Sequence, residues 1–366
     1  MKEFRIRIQP AIFIALSAIF LVVIEPGKCS AQKNQLSLGA YYFDGWTGEY
    51  PYHITETLTN DFSLRKPKWG WITSTQAVVD KQINLAAKYG LSFFSFCWYY
   101  TGKDKFKSEP LNRALSYYLL SKNKSRLKYC ITAINHSGFS LNKDDWNIIE
   151  EEWLHAFQDE NYFKVGGKPL LIIFSVDELI KSFGSAMEVK KAIDHLRARV
   201  MQIGLEGIII AACVSPNLSE VGNAEKCGFD VLTGYNYHGT INHLTQREVP
   251  IEYLQGAERS LWNSFSNISK LKYIPVSTLN WDPRPWASIR NRYDTAPYVI
   301  GYSSNSVFNS VSNIINWLKL NNEKTPAGNI GLLYAWNEYG EGAYLTPSSR
   351  NNSLLRALRK AIKTSK

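Results

Sequence analysis

Eight short apolar runs alternate with eight helical segments along this chain, and that order predicts an α/β fold: a single (β/α)8 TIM barrel with a long loop after strand 1. Two further observations agree. The runs are apolar almost without interruption, as strands buried on both faces of a parallel sheet must be. No glycine-rich phosphate loop follows the first run, where an open doubly wound sheet would carry one.

Leu36 to Phe43 reads as the first strand, and a long irregular stretch follows to about Ile72, rich in Trp, Tyr, His and Pro. Segments of that length without regular structure are uncommon in compact domains and often functional. Ser74 to Tyr89 is helical, with Val78, Val79, Ile83, Ala86 and Ala87 on one face and Gly90 as its cap. The alternation then continues. Strands are expected at Leu91–Tyr100, Leu127–Asn135, Pro169–Ser175, Gly207–Ser215, Asp230–Tyr237 and Tyr273–Trp281. Helices are expected at Leu111–Leu120, Trp146–Phe157, Ala186–Ile203, around Leu218–Cys227, and at Ile251–Phe265 and Ser306–Leu320. The apolar run from Gly331 is the eighth strand, and Ser353 to Ile362 the closing helix.

The 366 residues, 45% hydrophobic and 20% charged, suffice for one large domain or two small ones. No linker, repeat or low-complexity segment divides them, so residues 32–366 read as one catalytic barrel. Residues 1–31 read as a secretory signal peptide. Lys2, Arg5 and Arg7 precede an apolar segment from Ala11 to Ile24, and Cys29-Ser30-Ala31 supplies the small residues of a cleavage site near Ala31. The alternative is an N-terminal membrane anchor, for which about 14 apolar residues fall short of the roughly 20 that span a bilayer. Lys28 directly before Cys29 fits poorly with lipidation. The expected address is secreted or periplasmic, with no stable membrane insertion after cleavage.

Of the four cysteines beyond the signal segment, Cys97, Cys130, Cys213 and Cys227, the first three sit in apolar runs and read as small buried hydrophobes; a chain this long needs no disulfide framework. No CxxC or HExxH spacing signals a metal, and no cofactor is expected. The formal charge of +10 is scattered, with a mild cluster in the C-terminal helix. Nucleic acid requires a concentrated basic face, so none is expected as a partner. An anionic polysaccharide stays open, and oligomeric state is not legible.

The functional signal lies in Gly331 to Pro347, where the last apolar run ends in Glu338 and Glu341 within a turn loosened by Gly340 and Gly342. An unpaired buried carboxylate costs several kcal/mol or titrates away, so two of them at a strand exit, beside Trp336, Tyr339 and Tyr344, read as an acid/base pair next to sugar-stacking rings, the alternative being a strand followed by a solvated acidic turn. In a barrel of this type the active site lies at the C-terminal strand ends. Those ends and the adjoining loops carry Tyr41, Tyr42, Asp44, Trp46 and Trp71; Trp98, Tyr99 and Tyr100; Asn135 and His136; Ser175 and Asp177; Ser215. They also carry Tyr235, Asn236, Tyr237 and His238; Trp281, Asp282 and Arg284; and Asn337 beside Trp336. Rings that stack on sugar C–H faces, mixed with side chains that bond hydroxyls, suit a glycan cleft. For each of these aromatics a core-plug role is the alternative. His136 and His238 are either substrate contacts or structural histidines, and Asp282 and Arg284 either face substrate or bridge each other.

The segments AYYFDGW (Ala40–Trp46), KWGW (Lys68–Trp71), FFSFCWYY (Phe93–Tyr100), INH (Ile134–His136), NYFKVGGKPLLIIF (Asn161–Phe174), TGYNYH (Thr233–His238), WDPRP (Trp281–Pro285) and AWNEYGEG (Ala335–Gly342) together resemble the glycoside hydrolase family 99-like group, also labelled WbsX-type glycosyltransferases. The resemblance covers essentially the whole mature chain. It implies a (β/α)8 barrel and, from the characterised family 99 enzymes, retaining endo-acting cleavage of α-mannosides. It further implies that Glu338 is the base on the sugar 2-hydroxyl, giving a 1,2-anhydro sugar, and Glu341 the general acid/base. The surroundings Asn337, Tyr339 and Gly340 are those of the WbsX-like branch rather than of family 99 proper. Three functions follow: an exported glycoside hydrolase acting on a polysaccharide or oligosaccharide, a WbsX-type glycosyltransferase of surface polysaccharide assembly, or a non-catalytic glycan-binding barrel. Sugar-nucleotide donors are cytoplasmic and the chain lacks a phosphate-cradling loop, which ranks the hydrolase first.

Overall fold

A parallel sheet that closes on itself is the frame of the molecule. The computed structural model describes Met1 and residues 36–136, 138–215, 217, 219–287, 293–326 and 328–365. The segment read as a signal peptide therefore lies, apart from Met1, outside the described residues; every element belongs to the unit Asn34–Lys366.

The strands are β1 (Ser37–Tyr42), β2 (Phe93–Tyr99), β3 (Lys128–Ile134), β4 (Lys168–Ile173), β5 (Ile209–Cys213), β6 (Val231–Thr233), β7 and β8 (Ile330–Tyr334). Strand β7 comes in two pieces, Lys272–Tyr273 and Val276–Thr278, because Pro275 offers no N–H to a ladder. Its first piece pairs with β6 and its second with β8, while β8 pairs with β1 and the remaining neighbours follow in chain order. Across the break Ile274 N–H donates to the Leu232 carbonyl (2.8 Å) and Leu332 N–H to that of Pro275 (2.9 Å). The barrel is closed, and its pairings are all parallel.

The outer helices are α1 (Gln76–Tyr89), α2 (Arg113–Leu120), α3 (Trp146–Phe157), α4 (Ala186–Gln202), α5 (Ser219–Cys227), α6 (Ile251–Ile268), α7 (Ser304–Leu320) and α8 (Ser353–Thr364). Local chemistry sets their ends. Thr75 accepts from Val78 N–H and Ser185 from Glu188 N–H, each three residues on, Ser303 forms a capping box with Ser306, and Gly90 at φ 104° closes α1 in a left-handed conformation that a side chain would oppose.

The structure departs from the sequence expectation in three places. Strand β6 stops at Thr233, because Tyr237 N–H bonds the Thr278 hydroxyl (2.8 Å) in place of a ladder partner. An additional helix, Val176–Phe183, follows β4; Ser175 caps it by accepting from Glu178 N–H (3.2 Å), a Ser-x-x-Glu signal. The stretch after β1 holds a short helix, Glu56–Asp61, and a 3-10 turn, Ser63–Arg65. Cys97, Cys130, Cys213 and Cys227 are free and buried.

One buried acid ties the helical layer to the strands. Glu258 on α6 accepts from Thr278 N–H (2.5 Å) and from the Ser277 hydroxyl (3.1 Å), and burial pushes its pKa from 4.5 to about 8. A raised folded-state value means stability that is complete below about pH 4.5 and is lost as the pH rises through about 8. Chemical denaturation at pH 5 and 8 is expected to show a smaller difference for Glu258→Gln than for the parent chain; an equal difference would remove Glu258 from the account.

Candidate active site

Beyond β8 the chain forms a small antiparallel ribbon, Asn337–Glu338 against Ala343–Tyr344. The ribbon holds its turn by Gly342 N–H to the Tyr339 carbonyl (3.2 Å) and by Gly340 N–H to Glu338 Oε1 (3.2 Å). Two glycines are needed here. A Cβ on Gly340 would run into the Trp286 ring, and Gly342 has φ +70° with Asn280 Nδ2 2.7 Å and Arg65 Cζ 3.1 Å from where its Cβ would stand. Gly342→Ala is accordingly expected to cost about 1–3 kcal/mol, read as a shift in denaturation midpoint, while Gly328→Ala, also at positive φ but in open space, should cost less.

Glu338 is 5% exposed, and burial followed by the charge of Glu341 raises its pKa well above the glutamate range. The N–H groups of Gly340 and Glu341 and the Arg65 guanidinium act in the opposite direction. Glu341 is half-buried. Its Oε2 accepts the Tyr334 hydroxyl, and its carbonyl accepts from Asp282 N–H (2.8 Å). Two interacting carboxyls, one buried and one half-open, thus share the exit of the last strand, the arrangement that pairs of acid and base groups require.

A buried arginine holds the surroundings together. Arg65 Nη1 donates to the carbonyls of Asp282 (3.2 Å), Tyr339 (3.1 Å) and Gly340 (3.2 Å), Nη2 pairs with the Asp282 carboxylate, and Phe62 lies 4.3 Å from the guanidinium carbon. Asp282 is also bridged by Arg284 (2.7 and 2.9 Å), whose guanidinium stacks on Tyr298 at 3.7 Å. Asp282 and Arg284 do bridge each other, and Arg65 is the third member of that network.

The residues named from sequence separate into two groups. Trp71, His136, Tyr235, Asn236, His238 and Arg284 keep exposed surface. Trp71 meets Tyr339 edge-on (6.3 Å), Tyr235 meets Tyr334 (4.9 Å), and His238 lies flat on buried Trp281 at 3.7 Å while its Nδ1 approaches Asn236 Oδ1 (2.5 Å). Tyr99 is buried but near enough for the Glu338 charge to act on its phenol.

The second group is buried, and its side chains make the structural contacts that the sequence left as the alternative to substrate contact. Tyr42, Trp98 and Trp336 face the helical layer: Tyr42 packs on Phe94 and Phe96, Trp98 on Phe106 and Trp153, and Trp336 on Phe94 with its Nε1 donating to Gln82 (2.6 Å). Tyr100 packs on Trp98 and Phe106, and Tyr237 pairs with the Tyr273 hydroxyl. Tyr41 fills the barrel, donating to the Gly234 carbonyl (2.5 Å), and Trp46 is fully buried between Phe43, Trp286 and Tyr339. Asn337 clamps both main-chain groups of Phe43 (3.0 and 2.7 Å), and Asn135 those of Ser175 (2.8 and 2.7 Å). Asp44 ties the β1 exit to Ser74 (3.0 Å) and to Ala114 N–H (2.6 Å) at the start of α2, and burial lifts its pKa to about 8.

Arg65 and Tyr334 were not singled out in the sequence. Arg65 is one of three cations, with Lys66 and Lys68, in a stretch without periodicity, and nothing local distinguishes it from the other two; Tyr334 lies inside an apolar run, where only strand alternation marks it as sharing a face with Leu332. Among the described residues no group of three His, Cys, Asp or Glu could hold a metal, and no helix is long and apolar enough to cross a membrane.

Fold and site together define a parallel barrel of the kind glycoside hydrolases use. Residues 71–357 match the family model described as Glycosyltransferase WbsX, and the chain belongs to that family. In fold it is similar to a glycoside hydrolase-like protein (TM-score 0.63, 15% identity, 89% of this chain and 93% of that one). It is likewise similar to a GH99 endo-α-mannosidase from Bacteroides thetaiotaomicron (TM-score 0.59, 14% identity, 90% and 97%). An exo-β-1,4-mannosidase from Opitutaceae bacterium strain TAV5 is a more distant likeness (TM-score 0.50, 11% identity, 90% and 59%). Sequence comparison with curated proteins gives no match.

Proposed function

We propose that this chain is an exported glycoside hydrolase that cleaves a polysaccharide or oligosaccharide, with Glu338 and Glu341 as its acid/base pair. The observation that carries this reading is the interaction of the two carboxyls at the β8 exit, in which burial and the Glu341 charge keep Glu338 avid for a proton. In the assignment implied by the family resemblance, Glu338 removes the proton of the sugar 2-hydroxyl while that oxygen displaces the leaving group, and Glu341 protonates the departing oxygen. Water, deprotonated by Glu341, then attacks C1 and opens the 1,2-anhydro ring while Glu338 returns its proton to O2, with net retention. A base of high proton affinity is strong once ionised. The acidic limb of kcat/KM is therefore expected well above the ordinary glutamate range.

The exposed rings of Trp71, Tyr235 and His238, with Asn236 between the last two, offer stacking faces and polar edges for sugar units. The name of the family favours a second reading, glycosyl transfer in surface polysaccharide assembly. The experiment that separates the two is reducing-end release from a glycan panel, run with and without nucleotide-sugar donors on protein recovered from the cell exterior. Release without donor supports hydrolysis, and product formed only with donor supports transfer.

A further inference from the structure

We propose that Tyr334 is a positioning residue for Glu341: its phenol donates to Oε2, fixes the orientation of the carboxyl group and favours its ionised form. The inference rests on the reading of Glu341 as the acid/base.

The phenol is held where it stands. Tyr334 ends β8 in register with Thr278 of β7, and its carbonyl accepts from Leu279 N–H at 2.8 Å. Its side chain is 2% exposed and wedged against Tyr235 (4.9 Å), which is itself packed on Tyr41 (4.8 Å) and Phe174 (5.0 Å). A buried ring backed by a packed Tyr235 does not follow a swinging carboxylate, so the carboxylate is oriented by the ring. Burial, then the charges of Glu341 and Glu338, raise the phenol pKa well above its usual value, and Tyr334 stays an O–H donor throughout the working range.

A donor aimed at a carboxylate favours its ionised form. Among the described residues, the groups near this pair include Glu338 on the same ribbon, Arg65 from the loop after β1, and Asp282 beyond β7, with Tyr235 and Asn236 at the β6 exit and Cys97 and Tyr99 on β2. Glu338 as an anion opposes the ionisation of Glu341, and Arg65 assists it. Tyr334 is the group whose hydrogen bond reaches Oε2 itself. In the glycosidic step the carboxyl O–H bond of Glu341 breaks, its proton passes to the leaving oxygen as the C–O bond cleaves, and Tyr334 keeps its own proton.

The test needs no substrate. Glutamate δ-carboxyls labelled with 13C are titrated by NMR in the parent chain and in Tyr334→Phe, with the Glu341 signal assigned by its loss in Glu341→Gln. In Tyr334→Phe the Glu341 midpoint is expected about one pH unit higher. Replacing Tyr334 with 3-fluorotyrosine, a more acidic donor of nearly the same size, is expected to lower it. Where turnover is measurable, the alkaline limb of kcat/KM moves with the same sign. A merely structural role predicts lower activity with an unmoved midpoint. If the midpoint stays put in both variants while circular dichroism shows them folded, Tyr334 has no such role. Full turnover in Glu341→Gln would instead sink the hydrolase reading and leave the NMR shift standing.

Discussion

Glu341→Gln is expected to lower glycan cleavage by about 10²- to 10⁴-fold, since a positioned proton donor contributes that much to breaking a bond with a poor leaving group. Gln keeps the shape of the side chain and can still accept from Tyr334, so the fold and the thermal midpoint should change little. Glu338→Gln is expected to fall as far, because its carboxylate must take the 2-hydroxyl proton. The two losses differ in kind. With an activated aryl leaving group, the variant lacking the acid should recover much of its first step, whereas the variant lacking the base should not. Recovery in Glu338→Gln instead of Glu341→Gln would exchange their roles, an outcome consistent with the high proton affinity that burial confers on Glu338. Binding of glycans without cleavage by the parent chain and both variants would mark a glycan-binding barrel.

Arg65→Met is expected to be the most damaging change outside the glutamates. It strips three carbonyls of their donor, removes one of two cations from buried Asp282, and frees the turn that carries both glutamates. Removing one partner from a buried ion pair costs about 3–5 kcal/mol; because Arg284 still faces Asp282, the lower figure is expected, a fall in thermal midpoint of about 4 °C for a unit of this size. Arg284→Met, taken from a site whose side chain is 37% exposed, should cost about 1 kcal/mol or less. Losing Arg65 also removes a positive charge that stabilises ionised Glu338, so the acidic limb of kcat/KM should move to higher pH. Equal thermal midpoints for the two arginine variants would contradict the account of Arg65 as the clasp of the site.

The frame of this protein is legible in its sequence because burial on both faces leaves strands few polar positions, while helices show their period and their caps. Ser175 to Glu178 is a helix start that was readable and was absorbed into a strand end. Aromatic residues at the strand exits were harder, for a physical reason. A tyrosine facing the barrel and one facing the helices contribute the same hydrophobic character, and only the register tells Tyr41 from Tyr42 or Tyr99 from Trp98. Trp336 turns outward to Gln82, a partner 254 positions away in the chain. Arg65 was illegible because its partners lie more than 200 positions distant in the chain, at Asp282 and in the β8 ribbon. The two glutamates stood out because charge at the end of an apolar strand has few structural uses.

The most direct test of the central claim is a crystal structure of Glu341→Gln with an oligosaccharide that the parent chain cleaves. The account predicts a sugar lying across the β8 exit, its 2-hydroxyl within hydrogen-bond reach of Glu338 and its glycosidic oxygen beside the residue at 341. A sugar bound elsewhere on the barrel, with both side chains turned away from it, would contradict it.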